Sequence, residues 1–167
     1  MDSGQRTSRN KDNAVGAHNG HVSTADSAMG SVLRRMYGQA MVACGFSFYE
    51  GSFQAIPGSG LRDWLQDFVV GPAPPDALDS ALAETGLPMF AVDLRRASSN
   101  GVVHRWLSMA HRMRTIGSVY NKLLPPDTYL PEVVPDSFDV IFFVKRTTPA
   151  RKNPKLPKVI DPDFIRA

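Results

Sequence analysis

The chain is 167 residues long with a mass of 18.3 kDa, the size of one domain. Hydrophobic residues make up 43% and charged residues 21%, which excludes a disordered chain, and the single cysteine, Cys44, excludes a disulfide framework or a Cys-rich metal site. No apolar run approaches the ~18 residues of a membrane helix, and the opening MDSGQRTSRNKDN lacks the apolar core of a signal peptide. A cytoplasmic location without membrane contact is therefore expected.

The net charge of +3 belongs to one end of the chain. From Lys145 to Ala167 seven basic residues face Asp161 and Asp163, giving +5, while the other 144 residues carry 12 basic and 14 acidic side chains, giving −2. Residues 152–167 read as a basic, proline-bearing tail able to add weak, salt-sensitive affinity for polyanions. The folded part lacks the broad basic face of a nucleic-acid module, so no specific nucleic-acid partner is expected.

Residues 1–13 are polar, show no periodicity and read as disordered. The ordered region, residues 14–151, opens on Ala14-Val15 and a loop, His18-Asn19-Gly20-His21, marked by its Asn-Gly turn signal. Ser27 fits the N-cap of a helix with Met29, Val32, Leu33, Met36 and Tyr37 on one face, ended by Gly38. Residues 40–50 read as a strand. Leu61, Trp64, Leu65 and Phe68 repeat at helical spacing after a Pro-Gly loop.

Past the connector GPAPP, a helix is expected from Asp76, with Leu78, Ala81 and Leu82 inward and Gly86 closing it. Residues 88–95 read as a second strand, Val102 to Ala110 as a short helix, and residues 139–145 as an almost wholly apolar third strand. Strands apolar on both faces between helices predict an α/β domain, a layered sheet of mostly buried strands covered on both sides by helices. Three strands make a thin sheet for this class.

The paired imidazoles of His18 and His21 are the first candidates for chemistry. Three residues apart in a tight loop, they can converge on one point to bind a metal, shuttle protons or hydrogen-bond a developing oxyanion. A metal needs a third ligand, and Asp26 is the nearest candidate, so no metal site or cofactor is expected. A solvated turn is the bland alternative. Glu50, expected at a strand end where ligands bind in α/β sheets, is the second candidate, against a plain solvent-facing charge.

Asp93, inside the second strand, calls for a partner such as Arg95 or Arg96 in a structural ion pair. His104 and His111 read as surface or core histidines, and Cys44 as inert packing. Arg105, Arg112 and Arg114, with Trp106 among them, form a minor anion-site candidate. No GxSxG elbow surrounds Ser47 or Ser52.

Three stretches, AHNGHV at 17–22, MGSVLRRMYGQAMVACGFSFYEGSFQA at 29–55, and RTIGSVYN at 114–121 with SFDVIFFVKRTTPAR at 137–151, resemble in order and spacing the C-terminal half of the erythromycin esterase family. The resemblance covers residues 14–151. It implies hydrolysis of an ester, in the best-known members a macrolide lactone, with His18 and His21 as catalytic residues that orient water and stabilise the oxyanion. Asn19 and Glu50 are the candidate substrate-binding residues, for a small ester or lactone.

The family is more than twice this length, and its general-base histidine lies in an N-terminal half that has no counterpart here. Where the family runs an apolar strand into the AHNxHV loop, this chain has RTSRNKDNAV. A missing core strand, a truncated member and a separate N-terminal half-domain as partner are the expectations. The alternative function is a non-catalytic remnant or accessory fragment.

Overall fold

The computed structural model describes residues 14–25, 28–58, 65–121 and 129–151. The expected terminal segments, Asp26, the Ser27 cap and residues 61–64 of the expected helix lie outside the described residues. Chain order among the described residues is α1 (Asn19–Val22), α2 (Met29–Tyr37), β1 (Cys44–Pro57), β2 (Gln66–Val70), α3 (Leu78–Ala83) and β3 (Met89–Asp93). Next come α4 (Gly101–Leu107), β4 (His111–Arg114), β5 (Val119–Tyr120), β6 (Tyr129–Glu132), α5 (Val134–Ser137) and β7 (Val140–Thr147).

The layered α/β arrangement is as expected, and the sheet is wider than three strands. Its order is β2-β1-β7-β3, with β5 against the far end of β1. At its centre β1 and β7 run parallel, in register from Cys44 opposite Val140 to Gly51 opposite Thr147. β4 and β6 pair separately as an antiparallel ribbon.

β1 runs past Glu50, which is therefore inside a strand and not at its end. Gly51 makes the continuation possible. Its φ of +128° suits glycine, and a Cβ there would lie 2.4 Å from the Thr147 carbonyl oxygen. Beyond it β1 exchanges β7 for β2, pairing antiparallel from Gly51 opposite Val70 to Ala55 opposite Gln66. The expected helix through Leu65 and Phe68 is replaced by β2 in the described part. Phe68 and Val70 also satisfy a two-residue period, and both join Phe53, Ala55 and Tyr120 in a small core. Tertiary pairing decides between two periods that the sequence allows equally.

α2 is also turned differently. Met29, Val32, Met36 and Tyr37 are exposed, while Gly30 and Ser31 are buried. A Cβ on Gly30 would fall 2.1 Å from the Val22 carbonyl oxygen, so only glycine permits α2 to approach α1 this closely. Arg34 then reaches the carbonyls of Gly38 and Met41 and the carboxylate of Asp139. Gly38, with φ of +53°, ends the helix as expected.

Alternation sorts the sheet into two faces. Ala43, Ser47, Ile141 and Phe143 are buried on one side. There Ile141 packs with Leu78, Leu94, Leu107, Met113, Val134 and Phe138. The opposite side of β1, β7 and β3 is exposed at Phe46, Phe142 and Met89. Cover on both faces is thus not found among the described residues.

A fully buried carboxylate, Asp79, ties the covered side together. It accepts hydrogen bonds from Ser47 Oγ of β1 at 2.6 Å and from the backbone N–H of Arg114 in β4 at 2.9 Å. Burial pushes its pKa up from 3.8, against the pull of Ser47 and Arg114. The native chain therefore holds the proton more tightly than the unfolded one. This group's contribution to stability increases as pH falls through the raised pKa and levels off below 3.8.

Asp79→Ala, which leaves two buried donors unpaired, should lose about 3 kcal/mol in urea denaturation at neutral pH. The gap between wild type and variant should widen on acidification towards pH 4. A gap that stays constant with pH would show that Asp79 carries no such proton linkage.

Candidate functional site

The His18–His21 loop is closed by its own residues. His18 occupies the N-cap of α1, with φ of −63° and ψ of 151°, and its Nδ1 accepts the N–H of Gly20 at 3.1 Å. A ring nitrogen that accepts from an N–H carries no proton, so in neutral His18 the proton sits on Nε2, which is left as a donor. His21 follows in the same turn and is exposed. Its ring stands edge-on to that of His18, with centroids 6.2 Å apart. Among the described residues its ring nitrogens have no hydrogen-bond partner.

Asn19 fixes this turn to the sheet. Its Nδ2 donates to the Phe46 carbonyl at 2.7 Å, and its Oδ1 accepts the Phe46 N–H at 2.9 Å. The side-chain amide thus occupies one rung of the β1 edge that faces away from β7, as a neighbouring strand would. The same amide is spent on backbone and so is a positioning group.

Glu50 stands elsewhere. It lies four residues along β1 from Phe46, roughly 13 Å at strand rise, and pairs with Arg146 across β7 at 2.6 Å. Its side chain is 19% exposed and that of Arg146 is 73% exposed. The structure brings His18, Asn19 and His21 together and leaves Glu50 in a cross-strand ion pair outside them.

The remaining candidates resolve into structural contacts. Asp93 makes the expected ion pair with Arg95 through two bonds of 2.9 and 2.8 Å, and this holds its carboxyl below the usual range. His111 Nε2 lies 2.6 Å from the Trp106 carbonyl, and its ring lies against that of Trp106 at a tilt of 35°. Cys44 is half-buried, with burial pushing its thiol pKa up. Arg112 pairs with Asp76, and both it and the buried Arg114 lie over the Tyr129 ring, while Arg105 is exposed and among the described residues no contact joins it to them.

Sequence reasoning missed the Ser47–Asp79–Arg114 cluster. Arg114 Nη2 donates to the carbonyls of Tyr49 and Gly71, and its guanidinium lies over the rings of Phe48 and Tyr129. Tyr129 is pushed up to about 12, chiefly by burial. The available signal was an aspartate next to Leu78 at the start of an apolar helix, and the arginine that opens RTIGSVYN.

Among the described residues no group of three or more His, Cys, Asp and Glu side chains is placed to hold a metal ion. No described helix is long and apolar enough to cross a membrane.

The turn carrying the two histidines, the helix behind it and the β1–β7 pair all lie within a stretch, residues 4–147, that matches the erythromycin esterase family. The chain belongs to this family. Two solved structures are similar to it in fold. A Bacillus cereus protein matches with a TM-score of 0.67 and 22% identity, over 78% of this chain and 32% of that one. A succinoglycan biosynthesis protein matches with a TM-score of 0.66 and 21% identity, over 79% of this chain and 32% of the other. This family member thus spans about a third of the length of the solved structures it matches. No curated protein matches it.

Asn19→Ala should release the family's histidine loop from β1. The amides of residues 20–23 should then exchange with deuterium at least about tenfold faster, with about 1–2 kcal/mol of stability lost. Unchanged exchange would show that the loop holds without its anchor.

Proposed function

We propose that the chain carries the histidine-bearing part of an ester hydrolase, acting on a small ester or lactone of the macrolide kind. The reading rests above all on the pairing of His18 and His21 on one anchored turn in a member of this family. In this reading both rings approach a single oxygen, and the two rings differ in role. His18 presents Nε2–H, the donor needed by an oxyanion, and His21 presents an uncommitted imidazole to solvent.

In the reaction proposed, His21 stands in for the general base that the resemblance puts in the N-terminal half: one of its ring nitrogens takes a proton from water as the oxygen attacks the ester carbonyl. His18 Nε2–H donates to the oxygen that becomes negative, and preorganisation of this kind contributes about 10²–10³ in rate. The tetrahedral species expels its alkoxide, which recovers the proton from His21. The carboxylic acid and the alcohol are the products. Asn19 positions both rings through Phe46, and Glu50 is proposed as a group that meets substrate farther along β1, from its pair with Arg146. Residues 14–151 form the esterase-type unit in this reading.

A second reading is favoured by the span of about a third of the solved relatives: an accessory piece whose chemistry needs further polypeptide. Hydrolysis of erythromycin and of p-nitrophenyl acetate by the purified chain separates the two. Under the enzymatic reading His21→Ala lowers kcat by about 10²–10³ without moving Tm, because His21 caps nothing. His18→Ala lowers both, because His18 closes the turn. A wild-type chain inert on both esters, or a His21→Ala variant as active as wild type, would sink the reading.

A further inference from the structure

Two Asn-Gly pairs occur in the sequence, Asn19-Gly20 and Asn100-Gly101. Such a pair can react with itself. The backbone nitrogen of the glycine attacks the side-chain carbonyl carbon of the asparagine, ammonia leaves, and a five-membered succinimide closes. Water then opens the ring at either carbonyl, giving aspartate or isoaspartate. Glycine favours the attack because no Cβ crowds its nitrogen. Closure needs rotation about both ψ and χ1 of the asparagine, so the fold decides which pair reacts.

Both rotations are held at Asn19. Its backbone opens α1, and its carbonyl accepts the Ser23 N–H at 2.9 Å. Its side-chain Oδ1 and Nδ2 are both bonded to Phe46 of β1, at 2.9 and 2.7 Å. The attacking atom is occupied as well, since the Gly20 N–H donates to His18 Nδ1.

Asn100 is the reverse in each respect. It precedes α4 in an extended conformation, with φ of −148° and ψ of 173°, and its side chain makes no capping bond. Asn100 and Gly101 are both exposed, and among the described residues the Gly101 N–H has no hydrogen-bond partner. Gly101 has φ of +91°, which suits glycine. The Ser98 hydroxyl donates to Asn100 Oδ1 at 3.0 Å. That bond draws electron density from the carbonyl carbon and makes it the better electrophile. Nδ2 is left to depart as ammonia.

We propose that Asn100 is a site of spontaneous covalent modification, converted through a succinimide to aspartate and isoaspartate, while the fold keeps Asn19 as the amide. Ser98 is a positioning residue for this step. The assignment is independent of the ester-hydrolase reading, since it holds equally for a chain inert on esters. It bears on the histidine turn in one way. A carboxylate at position 19 would set an acceptor against the Phe46 carbonyl where Nδ2 now donates, and the turn would lose its anchor. In isoaspartate at position 100 the main chain runs through the former side chain and is longer by a methylene. The lengthening falls at the entry to α4, which sends Leu107 into the core with Trp106 packed against it.

The full chain, held in mildly alkaline buffer at physiological temperature and then digested, reports the two sites separately by mass spectrometry of its peptides. Isoaspartate is scored by methyl transfer from an isoaspartyl methyltransferase. In the folded chain Asn100 should convert at least about tenfold faster than Asn19, the margin that a hydrogen-bonded segment gains by opening only rarely. Unfolded in guanidinium, the two should convert within about threefold of each other, because the contacts that distinguish them are gone. Ser98→Ala should slow Asn100 at least about twofold in the folded chain and leave the unfolded rate unchanged. Equal rates at the two sites in the folded chain overturn the proposal. So does an Asn100 that folding slows tenfold or more relative to the unfolded chain, or a folded Ser98→Ala variant that converts as fast as wild type.

Discussion

A carboxylate without solvent contact sets the terms for the covered half of this molecule. Asp79 stands at the start of α3 between Ser47 of β1 and the backbone of Arg114 in β4. Removing a charge from water is costly unless donors replace the lost hydration, so the three elements must meet at fixed distances or not at all. Arg114 extends the constraint, since its guanidinium holds the carbonyls of Tyr49 and Gly71 between the rings of Phe48 and Tyr129. Its Nε finds no hydrogen-bond partner among the described residues, and the two ring faces take the place of one.

With the covered side pinned, the other side of the sheet follows by alternation. Every residue that turns Gly45, Ser47, Ile141 or Phe143 inward turns Phe46, Phe142 or Val144 outward. In a sheet with helices on both sides this would complete a second core. The described helices pack elsewhere: α3 and α5 lie on the covered side, and α2 lies against α1 with its apolar stripe in solvent. An apolar sheet face and an apolar helix stripe are the physical cost of this arrangement.

The histidine turn shows how little backbone is needed to present two imidazoles. One side chain, Asn19, satisfies a donor and an acceptor on Phe46, and one ring, His18, caps the turn that bears the other. The cap decides the tautomer and therefore which edge of His18 can donate. Glu50, in the same matching stretch of sequence, is separated from the histidines by the length of strand between it and Phe46, and it is held by Arg146.

Local pattern alone carried the parts of this protein that depend on near neighbours in the chain. The three main strands, the helix stop at Gly38, the Asp93–Arg95 pair and the turn at Asn19-Gly20 all follow from spacing, capping or charge within a few residues. What only the tertiary structure decided depends on segments far apart. Phe68 and Val70 fit a helix or a strand until β1 offers an edge to pair with. The stripe of α2 reads as core until Gly30 draws the helix against Val22. Asp79 and Arg114 are unremarkable letters until Ser47, 32 residues away from Asp79, meets them in the interior. Periodicity records which side chains share a face, while the choice of what that face meets is made by hydrogen bonds and contacts across the fold.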